Sequence, residues 1–279
     1  MNKLKLLALV IVLITQTLTH TVMAGEPEDM VHHGNILVKL GNFKGAEEWY
    51  KKAAALGSSE ANYLLAVMNM RGYVTAPNVE LALDYYIRAA KNEHAKAQYE
   101  LSVIYSDKLL DKIDYEQHLY WLKKAAENKY DKAIHNLATI AVRVKKYPTA
   151  LGLFKQAVEL NYPPSMLSLG SMYFHGVGLN KNYVAAFPLL NSAYEAGQEQ
   201  AAFPLATLYE RGIGVEKDID KAKALYKKAI DNGNVLNAGF NLALLLLDEG
   251  NDKEGKLLLE KLAAQGSGKA KQHLSQLKN

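Results

Sequence analysis

Hydrophobic positions fall at helical spacing along most of the chain. Leu205, Leu208 and Tyr209 follow an i, i+3, i+4 pattern, and so do Ala222, Leu225, Tyr226 and Ala229. Each set gives a helix one apolar face, with polar residues around the rest. Gly212 and Gly214 interrupt the pattern and Gly233 ends it. The stretch therefore reads as two amphipathic helices joined by a glycine-bearing loop. Asp218 or Asp220 is placed to accept backbone N–H bonds where the second helix begins.

This unit recurs. An alanine rung stands at Ala53, Ala89, Ala125, Ala157, Ala193, Ala229 and Ala263, in steps of 36, 36, 32, 36, 36 and 34 residues. A second series of small residues keeps phase with it at Ala61, Ala97, Ala133, Ser165, Ala201, Ala238 and Ala270. Close helix crossing needs a small side chain, so two such series in register predict a stacked helical array. Units fall near residues 31–57, 61–92, 97–128, 133–161, 165–197, 201–233 and 238–266, with a capping helix at 270–279. Asn92, Asn128 and Asn161 stand where glycine closes the other units at 57, 197, 233 and 266, and read as left-handed helix ends. The predicted fold is all-α: about seven hairpins in a right-handed α-solenoid, forming one elongated domain over residues 25–279.

The first 24 residues read as a leader rather than fold. Lys3 and Lys5 precede an apolar run from Leu6 to Ile14, and Val22-Met23-Ala24 offers small residues at a cleavage site. The run is too short for an ordinary membrane-spanning helix. Cleavage after Ala24 lowers the formal charge from +4 to +2 by removing Lys3 and Lys5. No long basic run remains, which disfavours nucleic acid as the partner. No second long apolar segment predicts an integral membrane protein. The chain has no cysteine, which excludes thiolate catalysis and cysteine-ligated metal. The expected location is the periplasm or the exterior of a bacterium.

From Leu205 to Gly233 the residues spell Leu-Ala-x-x-Tyr-x-x-Gly-x-Gly-Val-x-x-Asp-x-x-Lys-Ala-x-x-x-Tyr-x-x-Ala-x-x-x-Gly, and Leu169 to Gly197 follows nearly the same pattern. This resembles the Sel1-like repeats, relatives of the tetratricopeptide repeats with a longer loop inside the hairpin. Residues 61–128 keep the pattern without the second loop glycine. The short units at 31–57 and 133–161 look more like plain tetratricopeptide repeats. The resemblance implies an interaction scaffold. Some secreted relatives pair cysteines across each hairpin, and this chain departs from them.

No catalytic, metal or cofactor motif appears. Gly176-x-Gly178 and Gly212-x-Gly214 follow helices rather than strands and lack a third glycine, so they read as turns, not a dinucleotide loop. His32 and His33 are neighbours on a helix and point about 100° apart, a poor geometry for one metal ion. Ser102, Ser165, Ser168 and Ser171 show no positioned base in the sequence.

Aligned on the first-helix leucine, one position carries Tyr63, Tyr99, His135, Leu167, Phe203 and Phe240, and another carries Arg71, Asp107, Arg143, His175, Arg211 and Asp248. In a tetratricopeptide-like stack the first helices line the concave face. The expected groove has Tyr63, Tyr99, His135, Phe203 and Phe240 as an aromatic floor, and Arg71, Arg143, His175 and Arg211 as a basic edge. Such a groove suits a protein or an extended peptide. The alternative for the rings is inter-repeat core. The function read from the sequence is a non-catalytic scaffold of the bacterial envelope. An envelope-glycan binder is the runner-up, because rings also stack on sugars, and a hydrolase comes third. The sequence leaves the partner and the oligomeric state open.

Overall fold

The computed structural model describes residues 25–107, 113–233 and 235–277, and the expected leader, residues 1–24, lies outside them. Fifteen α-helices and one short 3-10 turn make up the regular structure of the described residues, with no strand among them. The helices are α1 (Pro27–Lys39), α2 (Phe43–Ala55), α3 (Ser59–Arg71), α4 (Val79–Lys91), α5 (Ala95–Ser106), α6 (Tyr115–Glu127), α7 (Asp131–Arg143) and α8 (Tyr147–Glu159). They continue with α9 (Pro163–His175), α10 (Tyr183–Glu195), α11 (Ala202–Arg211), α12 (Ile219–Asp231), α13 (Val235–Asp248), α14 (Asp252–Ala264) and α15 (Gly268–Gln276). The chain forms two compact units, divided between Ala133 and Ile134 in the first turn of α7. In the first unit α1/α2, α3/α4 and α5/α6 pair as hairpins, each packed on the next. In the second unit α9/α10, α11/α12 and α13/α14 do the same, and α15 covers α14.

Polar side chains fix where many helices begin. Asn42, Ser58, Asn78, Asn182, Asp218 and Ser267 each accept a backbone N–H in the first turn that follows. Asp218, not Asp220, is the cap of α12, with its Oδ1 2.8 Å from the Lys221 nitrogen. His94 caps α5 through Nδ1, 3.1 Å from the Ala97 nitrogen.

The alanine rungs lie where helices cross. Ala53, Ala89, Ala125, Ala157, Ala193 and Ala229 are buried, and every member of the second series, from Ala61 to Ala270, is completely so. The seventh hairpin corrects the rung assignment. Leu262, not Ala263, stands four residues before the closing glycine, and it is buried while Ala263 is half-exposed. Gly239 on the facing helix makes the space: a Cβ there would come within 2.9 Å of Leu262 Cδ2. A large residue on one side of the crossing is matched by loss of a side chain on the other.

The closing positions also need correction. Asn161 is left-handed, with φ 57°, but Asn92 and Asn128 are not. Glu93 and Lys129, one residue later, carry φ 58°. Asn128 instead reaches back to the end of the preceding hairpin, its Nδ2 donating to the Glu93 carbonyl oxygen at 3.3 Å, and to Gln98 Oε1 of its own hairpin at 2.9 Å.

The second loop glycine has a packing reason. Gly178 lies so close to the Tyr147 ring at the start of α8 that no Cβ would fit. A Cβ at Gly214 would meet the Val184 backbone at 3.1 Å. Where that glycine is missing, at Val74, the preceding Tyr73 stacks on Phe43 of the previous hairpin, with ring centroids 4.9 Å apart. Each of these loops thus docks on the second helix of the hairpin before it.

Ala125→Glu should wedge α6 from its neighbours and bury a charge, costing about 3 kcal/mol or more in chemical denaturation. Lys129→Gly should act the other way. It relieves a left-handed side chain and should raise stability by about 0.5–1 kcal/mol; a loss would refute the assignment of strain to this position.

Candidate functional site

The first helices present a regular outer stripe. On α3 it runs Glu60, Leu64, Val67, Arg71, and on α5 it runs Lys96, Glu100, Val103, with Asp107 just past the helix end. This is i, i+4, i+7, i+11 spacing, about a quarter-turn round each helix from Ala61 or Ala97. In both stripes charged residues stand at the ends and a valine near the middle. Val103 is 39% exposed although apolar, and Val67 is half-buried. On α1 the same positions are Glu28, His32, Asn35 and Lys39, all exposed.

The expected floor rings sit beside these stripes rather than on them, turned toward the next repeat. Tyr63 is 7% exposed. It stacks on His94 with centroids 4.8 Å apart and touches Tyr86 at 6.0 Å. Tyr99 meets Tyr130 at 5.1 Å. In the second unit His135 lies against Phe154 and Tyr162, Phe203 against Tyr226, and Phe240 against His273. Tyr99, His135, Phe203 and Phe240 remain half-exposed. The rings therefore join successive repeats, and all but Tyr63 keep a solvent-facing part. Of the basic edge, Arg71, Arg143, His175 and Arg211 are all exposed, and Arg71 donates to the Tyr73 hydroxyl at 3.0 Å.

The joint around His94 is electrostatically defined. Its Nδ1 accepts the Ala97 N–H, so Nε2 carries the hydrogen that Glu60 Oε2 accepts at 2.8 Å. That hydrogen bond is the largest influence holding the Glu60 carboxyl below its usual range. Lys96 Nζ stands 4.9 Å from the centre of the Tyr63 ring.

Tyrosines of the second helices reach through to the first helices. The Tyr50 hydroxyl donates to Asn35 Oδ1 at 2.7 Å, and burial pushes its pKa up to about 12. Tyr226 is fully buried; its hydroxyl donates to Glu210 and accepts from Asn241 Nδ2 at 2.8 Å, with Thr207 Oγ1 3.2 Å away. Burial first, then the carboxylate of Glu210, drives its pKa upward. Asn35 and Thr207 occupy equivalent stripe positions, so the same joint is built twice with different chemistry.

Two of the serines do have an imidazole beside them, which the sequence did not reveal. Ser102 Oγ lies 3.1 Å from His118 Nδ1, and Ser165 Oγ lies 2.8 Å from His135 Nδ1. Neither pair is an activated nucleophile. His118 Nδ1 is also 2.8 Å from the Ser102 carbonyl oxygen, which can only accept, so that nitrogen holds a hydrogen and cannot serve as the base. Ser165 is fully buried, beyond reach of a substrate. Burial pushes the His135 imidazole below its ordinary pKa. Among the described residues no group of His, Asp and Glu is arranged to hold a metal ion.

The Sel1 repeat family profile matches residues 25–58, 59–94, 95–130, 163–198 and 200–234, more than half of the chain. The chain belongs to the Sel1 repeat family. The first match includes the short opening unit, which the sequence alone sets nearer to plain tetratricopeptide repeats; residues 131–162 stay unmatched. The fold is similar to that of c5321, described as a protective antigen of uropathogenic Escherichia coli with an SLR fold. That likeness has a TM-score of 0.71 and 24% identity over 94% of this chain. This chain spans only 58% of the length of c5321. A Sel1 repeat protein of Oxalobacter formigenes is similar at TM-score 0.64 and 26% identity, over 77% of this chain and 87% of its own. No curated protein matches the chain in sequence. Sel1 repeats generally mediate protein–protein interaction and are non-catalytic scaffolds.

Tyr63→Ala should cost about 3–5 kcal/mol, because the ring fills the joint between two hairpins. Acid should weaken the second unit. His135 binds a proton less readily folded than unfolded, so stability falls as pH drops through the free imidazole value of about 6.5. A melting series from pH 7.5 to 5 should show a smaller loss in His135→Gln.

Proposed function

We propose that this chain is an exported, non-catalytic adaptor of the bacterial envelope that holds a protein or an extended peptide on its first helices. The observation that carries the reading is the stripe on α3 and α5, where Val67 and Val103 lie between charged ends and Val103 faces solvent. An extended peptide suits such a surface: its apolar side chains cover the valines, and its carboxylates meet Arg71 and Lys96. In the first unit the half-exposed Tyr99 then borders the contact sites, while Tyr63 holds the joint behind them from within. In the second unit His135, Phe203 and Phe240 take that place, with Arg143, His175 and Arg211 as the basic groups. Burial of Ser102 and Ser165 supports a scaffold over a hydrolase.

Export rests on the charged start, short apolar run and small residues of positions 1–24. Among the described residues no helix is long and apolar enough to cross a membrane.

Two measurements test the proposal. Mass spectrometry of the protein from its own cells should find Gly25 at the amino terminus; an intact Met1 in the accumulated protein refutes export by cleavage. A photo-crosslinking residue placed at Val103 should capture a protein partner in those cells, and Arg71→Glu with Lys96→Glu should abolish the capture. The same probe at Lys155, on α8, should capture nothing. Equal capture from both positions removes the assignment of the face.

A further inference from the structure

The outer face of α6 differs from those of the other second helices in its unit. On α2, Glu47 and Lys51 form an i, i+4 ion pair at 2.8 Å, and on α4, Asp84 and Arg88 do so at 2.7 Å. Counted from the alanine rung, the matching positions on α6 are Leu119 with Lys123, and Tyr120 with Lys124. An apolar side chain has replaced the acid in both registers. Lys124 turns to Glu127 instead, at 2.8 Å. Lys123 and Glu116 are exposed, and neither has an ion-pair partner among the described residues.

The apolar side chains are exposed as well: Leu119 by 37%, Tyr120 by 49% and Tyr115 by 68%. Tyr120 is held in place edge-on against the buried Trp121, with ring centroids 4.9 Å apart. Glu116, Leu119, Tyr120, Lys123, Lys124 and Glu127 border a shallow depression of about 450 Å³. Opposite unpaired charges thus stand seven residues apart on one stripe, with an apolar centre between them.

We propose that this face of α6 binds a second copy of the chain, antiparallel and about a two-fold axis passing between residues 119 and 120. In that register Glu116 meets Lys123 of the partner subunit, and the symmetry repeats the pair. Leu119 lies on Tyr120 of the partner subunit across the axis, and Tyr115 falls opposite Lys124 of the partner subunit, a cation beside a ring. A parallel or shifted pairing places like charges together, so charge complementarity selects this arrangement. A contact through one helix belongs to the small, weak class of protein interfaces. The inference does not depend on the peptide reading, which concerns the first helices.

The test is sedimentation equilibrium of the purified protein at low salt across a wide concentration range. The protein should self-associate to a dimer and no further. Glu116→Lys alone, or Lys123→Glu alone, puts two like-charge contacts in the interface and should weaken the dimer at least about tenfold. The double variant E116K/K123E restores two opposite pairs and should recover dimerisation. Circular dichroism should be unchanged throughout, since both side chains are exposed. The cysteine-free background allows a second reading: Tyr120→Cys, beside the axis, should form an intermolecular disulfide under mild oxidation, and Lys155→Cys should not. A monomer at every concentration overturns the proposal. So does a dimer indifferent to the single reversals, or one that the double variant fails to restore.

Discussion

Close crossing of paired helices is the constraint on which the rest of this molecule depends. A hairpin of two amphipathic helices cannot bury its apolar face alone. It must meet the next hairpin, and the approach is set by what projects from the backbone at the crossing. Alanine answers this at nearly every rung. Its small side chain brings leucine and tyrosine neighbours into contact and leaves no gap. Tyr50 reaches over Gly34 in the same way; the ring occupies the space a Cβ would take.

The loops and polar joints work within the spacing the rungs establish. The glycine-bearing loops fold back on the preceding hairpin, so each turn serves two units. Tyr50 and Tyr226 span from second helix to first and end on polar partners, which lets a large ring be buried without an unsatisfied hydroxyl. The third hairpin breaks the rule of small residues: His118 stands where the others have alanine or glycine. Ser102 opposite supplies both a small side chain and a carbonyl to receive its hydrogen. A polar pair thus replaces an apolar one at the same crossing.

The repeat, the helical class and the approximate hairpins were legible in the sequence because periodicity reports the buried face directly. What escaped depended on pairs of residues distant in sequence. Leu262 is intelligible only with Gly239 in view. Asn92 and Asn128 do end α4 and α6, but the left-handed position falls one residue later, on Glu93 and Lys129, which stand four residues past the alanine rung just as Gly57, Gly197 and Gly233 do. Ser102 and Ser165 gave no hint of their histidines, which lie 16 and 30 residues away. The floor rings were visible as a ladder, but their direction was not: they turn sideways into the joints. The stripe of Glu60, Leu64, Val67 and Arg71 could have been found by continuing the helical spacing about a quarter-turn from Ala61.

The exchange of bulk between Gly239 and Leu262 means that the repeats are not interchangeable bricks. Recombination that copied the first helix of another unit into this place would bring a side chain where none fits. Moving only the second helix elsewhere would drive a leucine into a space shaped for alanine. The seventh hairpin can therefore be gained, lost or transplanted only whole, which limits how such an array can lengthen or shorten over generations.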